Sequence, residues 1–280
     1  MTTNKTNAQI LKKNRNNDAV SKKTTARKSS HKIIYAPVGS AGEYSPWAAN
    51  LYVGCSNGCS YCFCKRGVLK HALGGDTAVL KKSLGSEENA FRIFCDELAA
   101  SKEEIIKDGS LFFTFTSDPC LRGTIDLNFK CIGHAIAQGV PCTILTKRAD
   151  WLDTPAWQKV KEVIGEQKQM FRVGFTLTGL DHLEPGASTN QERIEAMKVL
   201  HDEGFPTWAS IEPVIDLDAS FSMIQQCAPL CDHMKIGLVT GQKRNYGRED
   251  VLDFMSKVHT IVPEAKVYWK HSVRKMINKA

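Results

Sequence analysis

Three cysteines that lie close together in the sequence are the residues best suited to redox chemistry. Cys55, Cys59 and Cys62 have the spacing C-x3-C-x2-C on a loop that contains glycine. Three thiolates on one such loop can converge on one face of a cuboidal iron–sulfur cluster. Three protein ligands for four irons leave one iron open, and an open coordination position distinguishes a reactive metal site from a structural one. The spacing therefore predicts an enzyme with a redox-active [4Fe-4S] cluster.

Zinc is the alternative metal for this loop. A zinc site needs a fourth ligand, and Cys64 or His71 could supply it. The chain would then be a non-enzymatic, zinc-stabilised nucleic-acid-binding module led by its basic N-terminus. Three buried free thiols would explain the composition but not their clustering on one loop. Cys227 and Cys231 form a separate C-x3-C pair without further ligands nearby, and we interpret them as core thiols.

Positive charge is concentrated at the N-terminus. The 280 residues carry a formal net charge of +7, but residues 1–32 alone hold nine Lys or Arg against a single acid, Asp18. A basic segment of this kind can neutralise phosphates, whereas its Asn, Thr and Ser content is typical of a disordered leader. We predict a basic, disordered tail over residues 1–34 and one domain over residues 35–280.

No apolar run in the chain is long enough to span a membrane, and the lysine-rich start is unlike a secretory signal. A cytoplasmic location is expected. In that reducing compartment the ten cysteines are expected to be thiols or metal ligands rather than disulfides.

Strands and helices are predicted to alternate along the chain. The predicted strands are 50–54, 111–116, 141–146, 171–178, 207–215 and 233–240, and the predicted helices are 87–107, 125–138, 155–164, 190–203, 219–227 and 248–262. Gly109, Gly139 and Gly204 each lie where a helix should end. Ser188 followed by Gln191 has the pattern of a capping box that begins a helix.

This alternation predicts an α/β fold with a parallel sheet. Six strand–helix units suit a partial (β/α)6 TIM-type barrel of parallel strands with outer helices, and a doubly wound open sheet is the alternative. Both folds gather reactive residues at the carboxyl ends of the strands, where the cysteine loop is expected. Residues 266–269 and 272–279 are predicted to add a closing strand and helix.

Three motifs spread over residues 45–245 resemble those of a known enzyme family. They are NLYVGCSNGCSYC at 50–62, FTSDP at 115–119, and LEPGA at 183–187 followed by ERI at 192–194. The first resembles the cluster loop of radical S-adenosylmethionine (SAM) enzymes. Together they resemble the branch of spore photoproduct lyase and its DNA-repair-photolyase-like relatives.

The resemblance implies a reaction in which the open iron binds SAM. A reduced cluster would pass one electron to the sulfonium, giving methionine and a 5′-deoxyadenosyl radical that abstracts hydrogen from a substrate. It also implies a one-electron donor protein of the flavodoxin or ferredoxin type. A nucleic acid is the candidate substrate, and a peptide or small molecule is the alternative.

The resemblance further implies SAM contacts at the strand ends. Ser117 and Asp118 match the position that contacts the SAM amino group, and Lys147 could offset the SAM carboxylate. Thr176 or Thr178 could contact the ribose or the carboxylate of SAM, and Glu212 could reach the ribose or the substrate. Asp118 and Glu212 also have a plain structural interpretation, because each precedes a proline and could be a turn or strand-end residue.

One position departs from the spore photoproduct lyase pattern. Those enzymes carry a hydrogen-donating cysteine two residues before the Ser-Asp pair, and Phe115 stands there in this chain. Cys120 is the one candidate for a substitute catalytic thiol, although burial in the core is the commoner fate of a free cysteine. The near-neutral domain also lacks the basic groove that a duplex-binding enzyme needs. Repair of thymine dimers is therefore not expected.

Overall fold

Parallel strands alternating with helices dominate residues 33–278, which are the residues that the computed structural model describes. The predicted tail over residues 1–34 lies outside this range except for its last two residues. The strands are β1 (Ile34–Tyr35), β2 (Trp47–Ala49), β3 (Tyr52–Val53), β4 (Val79–Leu80), β5 (Leu111–Phe113), β6 (Cys142–Thr146), β7 (Phe171–Thr176), β8 (Thr207–Val214), β9 (His233–Leu238) and β10 (Val267–Trp269). The α-helices are α1 (Lys70–Leu73), α2 (Glu87–Asp108), α3 (Ile125–Ala137), α4 (Pro155–Ile164), α5 (Asn190–Asp202), α6 (Leu217–Cys227), α7 (Arg248–His259) and α8 (His271–Ile277).

Eight strands form one sheet in the order β1-β2-β5-β6-β7-β8-β9-β10. Only β1 pairs antiparallel, and the other neighbours are parallel. From β2 onward the strand order follows the chain order without reversal, so the switch point of a doubly wound sheet is absent from residues 33–278 and that alternative is wrong. The prediction of a partial barrel is confirmed, with β1 and β10 as its edges.

The sheet curls far enough for distant strands to pack on a single residue. The ring centroid of Tyr44 lies 5.9 Å from that of Phe112 in β5 and 6.0 Å from that of Trp208 in β8, although two strands separate β5 from β8. Ala48 of β2 belongs to the same buried cluster. Side chains from β2, β5 and β8 therefore pack together inside the barrel, as they do in complete (β/α)8 barrels.

Side chains cross the seam between the two edges of the sheet. Lys235 of β9 donates to the main-chain carbonyls of Glu43 (2.7 Å) and Tyr44 (2.8 Å), which precede β2. The Glu43 carboxylate accepts from the amide of His271 (2.6 Å) and from the hydroxyl of Tyr268 (3.3 Å) on the opposite edge. The segment before β2 thus ties the first strands of the barrel to the last.

Helices cover the outer face of the sheet. In α4 the buried residues are Ala156, Trp157, Val160 and Ile164, the spacing of one helical face. The Thr154 side chain caps this helix by accepting from the amide of Trp157, and proline follows at the first helical position. No α-helix in residues 33–278 is long and apolar enough to cross a membrane.

The prediction of a first strand over 50–54 is wrong. The strand β2 ends at Ala49, and Tyr52–Val53 pairs with β4 in a separate hairpin. Asn50 leaves the main sheet because its side chain donates to the Tyr35 hydroxyl (2.7 Å) and accepts from the amide of Phe115 (2.8 Å). The remaining predicted strands and helices are present with shifts of a few residues at their ends, and so are the closing strand and helix.

The capping box also lies one residue later than predicted. Thr189, not Ser188, caps α5, and the Glu192 carboxylate accepts a hydrogen bond from the amide of Thr189 (2.6 Å). The Ser188 hydroxyl is engaged elsewhere, because it accepts from the amide of Ala149 (2.9 Å). Thr189 and Glu192 have the same capping-box spacing as Ser188 and Gln191, and the structure uses the later pair.

Candidate active site

The three cysteines lie on one loop at the carboxyl edge of the barrel. Cys55, Cys59 and Cys62 are half-buried free thiols between β3 and the short turn of helix at Phe63–Lys65. The loop is fixed from two sides. The amide of Cys55 donates to the carbonyl of Gly75 (3.0 Å), and the amide of Ser60 donates to the carbonyl of Leu183 (2.9 Å).

Two glycines allow this loop to pack tightly. Gly54 has φ +83°, and a Cβ atom there would lie 2.2 Å from the carbonyl oxygen of Thr77. A Cβ atom on Gly186 would lie 2.1 Å from the carbonyl oxygen of Ser56, and the amide of Gly186 donates to the carbonyl of Asn57 (3.0 Å). Side chains at either position would push the cysteine loop away from its support.

A buried ion pair lies behind the loop. Arg193 and Glu184 are fully buried, with 2.5 Å between guanidinium and carboxylate, and the Tyr61 hydroxyl donates to Glu184. Arg193 also donates to the carbonyls of Ser188 (2.6 and 2.8 Å) and Thr176 (2.7 Å). A buried pair is stable when its remaining hydrogen-bonding capacity is met in this way. The 183–187 and 192–194 motifs therefore support the loop that carries the cysteines.

The thiols differ in their electrostatic surroundings. Burial raises the pKa of Cys55 to about 12 and also raises the pKa of Cys59. A hydrogen bond with Cys64 lowers the pKa of Cys62 to about 6. Metal ligation requires the thiolate form, and the Lys147 ammonium offsets part of the effect of burial on the pKa of Cys55 and Cys59.

Lys147 supplies a cation from within the protein. Its ammonium lies 5.6 Å from the centroid of the Tyr61 ring. Burial alone would lower the pKa of Lys147, but the Cys59 thiolate and the Glu184 carboxylate outweigh it and raise the pKa. Lys147 therefore remains a positive charge beside the cysteine loop, and it directly follows β6.

Two buried polar atoms in this part of the protein have no hydrogen-bond partner within residues 33–278. One is the side-chain oxygen of Asn57 on the cysteine loop, and the other is the hydroxyl of Ser117, directly before Asp118. A buried polar atom without a partner is costly. Three thiols, a cation and two polar atoms without partners fit an iron–sulfur cluster that also binds an amino-acid-like ligand. Ser117 could accept from the amino group of that ligand, and Lys147 could pair with its carboxylate.

Asp118 is already fully hydrogen-bonded by the protein. One carboxylate oxygen accepts from the Asn57 amide side chain (2.8 Å) and the Lys147 main-chain amide (2.8 Å). The other accepts from the Thr146 hydroxyl (2.7 Å) and the Cys120 main-chain amide (3.0 Å). These bonds occupy the lone pairs of both oxygens. Asp118 thus joins the cysteine loop to the end of β6, and a direct contact with SAM would require one of these bonds to break.

Thr176 ends β7 and Glu212 lies two residues before the end of β8, and both are engaged within the protein. Thr176 is buried, and its carbonyl accepts from Arg193. Glu212 accepts from the ammonium of Lys270 (2.6 Å) and from the Tyr44 hydroxyl. The sequence analysis missed Lys270, which is 1% exposed. Its position directly after the closing strand was the signal that could have identified it.

No thiol stands at the position that spore photoproduct lyases use for hydrogen donation. The Phe115 ring stacks on Phe112, with 4.4 Å between centroids and an interplanar angle of 15°. The predicted substitute, Cys120, is 3% exposed, and burial raises its pKa. Its surroundings are those of a core thiol.

Among residues 33–278, no group of three or more His, Cys, Asp or Glu side chains is arranged around a point that could hold a single metal ion. In a cuboidal cluster each cysteine binds a different iron, so its ligands surround a larger body. Of the fourth ligands considered for zinc, Cys64 is buried against Cys62 and His71 is exposed on α1.

Comparison with known proteins relates this chain to others by fold. No protein-family model and no curated protein sequence matches it. A cysteine-to-alanine variant of spore photoproduct lyase with dinucleoside spore photoproduct superimposes with a TM-score of 0.57 at 16% identity, over 84% of this chain and 80% of that one. SuiB of Streptococcus suis bound to S-adenosylmethionine gives a TM-score of 0.48 at 14% identity, over 78% and 44% of the two chains. The chain therefore has the fold of spore photoproduct lyase, a radical SAM enzyme.

Proposed function

We propose that this chain is a radical SAM enzyme whose Cys55, Cys59 and Cys62 bind a [4Fe-4S] cluster. One observation carries the proposal: three thiols share the barrel edge with the Lys147 cation and the orphaned Ser117 hydroxyl. When bound, cluster and SAM would supply one electron and a 5′-deoxyadenosyl radical for hydrogen abstraction.

The residues of the chain would bind and orient these groups. Lys147 would pair with the SAM carboxylate, and Ser117 would accept from the SAM amino group. Asp118 would hold the cysteine loop against β6 through Asn57. The aromatic packing around Tyr44 and Phe115 would exclude water from the inner side of the site.

We infer a nucleic acid or a related nucleotide compound as the substrate class. The motifs shared with the spore photoproduct lyase branch support this choice, while Phe115 argues against the repair of thymine dimers themselves. Deleting residues 1–32 should weaken salt-dependent binding to single-stranded oligonucleotides. A peptide or small-molecule substrate would be indicated if no such binding exists.

Anaerobic reconstitution with iron and sulfide, followed by dithionite and SAM, should release 5′-deoxyadenosine. The Cys59→Ala variant should lose both the cluster chromophore and this activity. The Cys95→Ala variant is the matched control, because Cys95 lies half-buried on α2 outside the cysteine loop. A complete cluster that never cleaves SAM would overturn the proposal. One zinc per chain without iron or sulfide would support the zinc module instead.

A further inference from the structure

Residues 63–82, here called the collar, leave the cysteine loop after Cys62 and return to it through β4. Four apolar side chains on the collar are exposed to solvent: Phe63 (56%), Val68 (89%), Leu69 (42%) and Val79 (54%). Single exposed apolar residues are ordinary, but several on one short segment indicate a surface that binds another molecule.

The collar lies directly against the predicted cluster ligands. Val79 pairs with Val53 in the two-stranded sheet of β3 and β4, and Val53 lies two residues before Cys55. Gly75 accepts from the amide of Cys55 (3.0 Å), and Phe63 is bonded to Cys62 through the main chain. A molecule bound to the collar would therefore lie next to the cysteine loop.

Charge distinguishes the collar from the rest of the domain. Residues 63–82 hold five Lys or Arg side chains against one acid, Asp76, whereas the remainder of residues 33–278 holds 22 basic and 28 acidic side chains. Lys65 pairs with Asp76 at 2.5 Å, and Lys70 is exposed. The collar is thus a basic segment with exposed apolar side chains on an otherwise acidic domain.

We propose that the collar is the docking surface for an acidic one-electron donor protein, which rests on the proposed function of the cysteine loop. Opposite charges would steer such a partner to the patch. Exposed apolar side chains together with charged ones are the composition of a protein–protein contact. A nucleic acid surface would instead need several aromatic side chains for base stacking, whereas Phe63 stands among the aliphatic Val68, Leu69 and Val79.

The test compares a protein donor with a chemical one. The double variant Val68→Glu/Lys70→Glu reverses charge at the patch, and its side chains are exposed, so the fold is unaffected. The control variant Val163→Glu/Lys159→Glu makes the same changes on the exposed face of α4. Each protein would be reconstituted, and 5′-deoxyadenosine formation would be measured with photoreduced flavodoxin or with dithionite.

The collar variant should lose about tenfold or more of the flavodoxin-driven rate and keep its dithionite-driven rate, because a small reductant needs no docking surface. The control should behave as the unmodified chain does, and raising the ionic strength should slow only the flavodoxin reaction. Equal flavodoxin-driven rates in both variants would overturn the proposal, as would an unmodified chain that accepts electrons from dithionite but not from flavodoxin. Weaker oligonucleotide binding by the collar variant with unchanged flavodoxin turnover would assign the patch to nucleic acid. Failure of dithionite in the unmodified chain would refute the proposed function instead.

Discussion

Replacing Gly186 with alanine should dislodge the cysteine loop without unfolding the protein. The added methyl would lie 2.1 Å from the Ser56 carbonyl oxygen and 3.1 Å from the Asn57 carbonyl carbon. Both neighbours are main chain, so no side chain can rotate away. Gly186 does not have a positive φ, and the effect of alanine would therefore be steric alone.

The size of the displacement follows from the contact distance. Cβ atoms do not approach other heavy atoms more closely than 3.0 Å. The loop must therefore move by about 0.9 Å, and overpacking of this kind costs about 1–3 kcal/mol of unfolding free energy. A shift of about 1 Å in a catalytic site can lower a rate about 100-fold. We expect a folded variant with much less bound iron and a comparable loss of SAM cleavage.

Iron and sulfide per chain, the cluster absorbance and 5′-deoxyadenosine release would be measured after identical reconstitution. The Gly123→Ala variant is the control, because a Cβ atom there meets nothing within 4 Å. A Gly186→Ala protein with the iron content and activity of this control would show that the 183–187 segment does not position the cysteines.

Three further changes test other parts of the site. The Glu184→Gln variant leaves the Arg193 charge buried and unpaired, which should lower the urea-derived unfolding free energy by about 3–5 kcal/mol; a loss under about 1 kcal/mol would contradict this. The Ser117→Ala variant removes a buried hydroxyl that has no partner within residues 33–278, so it should be at least as stable as the unmodified chain. It should bind SAM about tenfold more weakly by calorimetry, and equal affinity would exclude the contact. Burial, with a smaller effect of Lys235, lowers the pKa of His233 to about 4. Between pH 6.5 and 4 the unfolded chain takes up a proton that the folded chain does not. The unfolding free energy should therefore decrease by at most about 3 kcal/mol as the pH is lowered through this range, and His233→Gln should flatten the plot of urea midpoint against pH.

Patterns that depend on local chemistry were predictable from the sequence. The helix Pro155–Ile164 has the predicted bounds because its cap, proline and apolar face all agree. Asp118 and Lys147 were expected near the cysteine loop because parallel strands end at one edge, and their contacts with Asn57 and Tyr61 lie there.

Features set by long-range contacts were not predictable. Asp118 precedes a proline, but only the fold shows that four groups from three segments occupy its carboxylate. The first strand was misplaced because the apolar run through residues 47–53 continues past Asn50, whose side chain turns the backbone away. The pairing of Arg193 with Glu184 needs the loop after β7 to fold back, which no periodicity encodes.

The wall of the barrel is held together in two different ways. Neighbouring strands of the sheet are joined by main-chain ladders, whereas the segment before β2 reaches β9 and β10 through the side chains of Lys235, Tyr268 and Glu43. A few side-chain bonds therefore do at this seam what a ladder does elsewhere. We expect a substitution at Glu43 to loosen the seam while the strand pairing of the sheet stays intact.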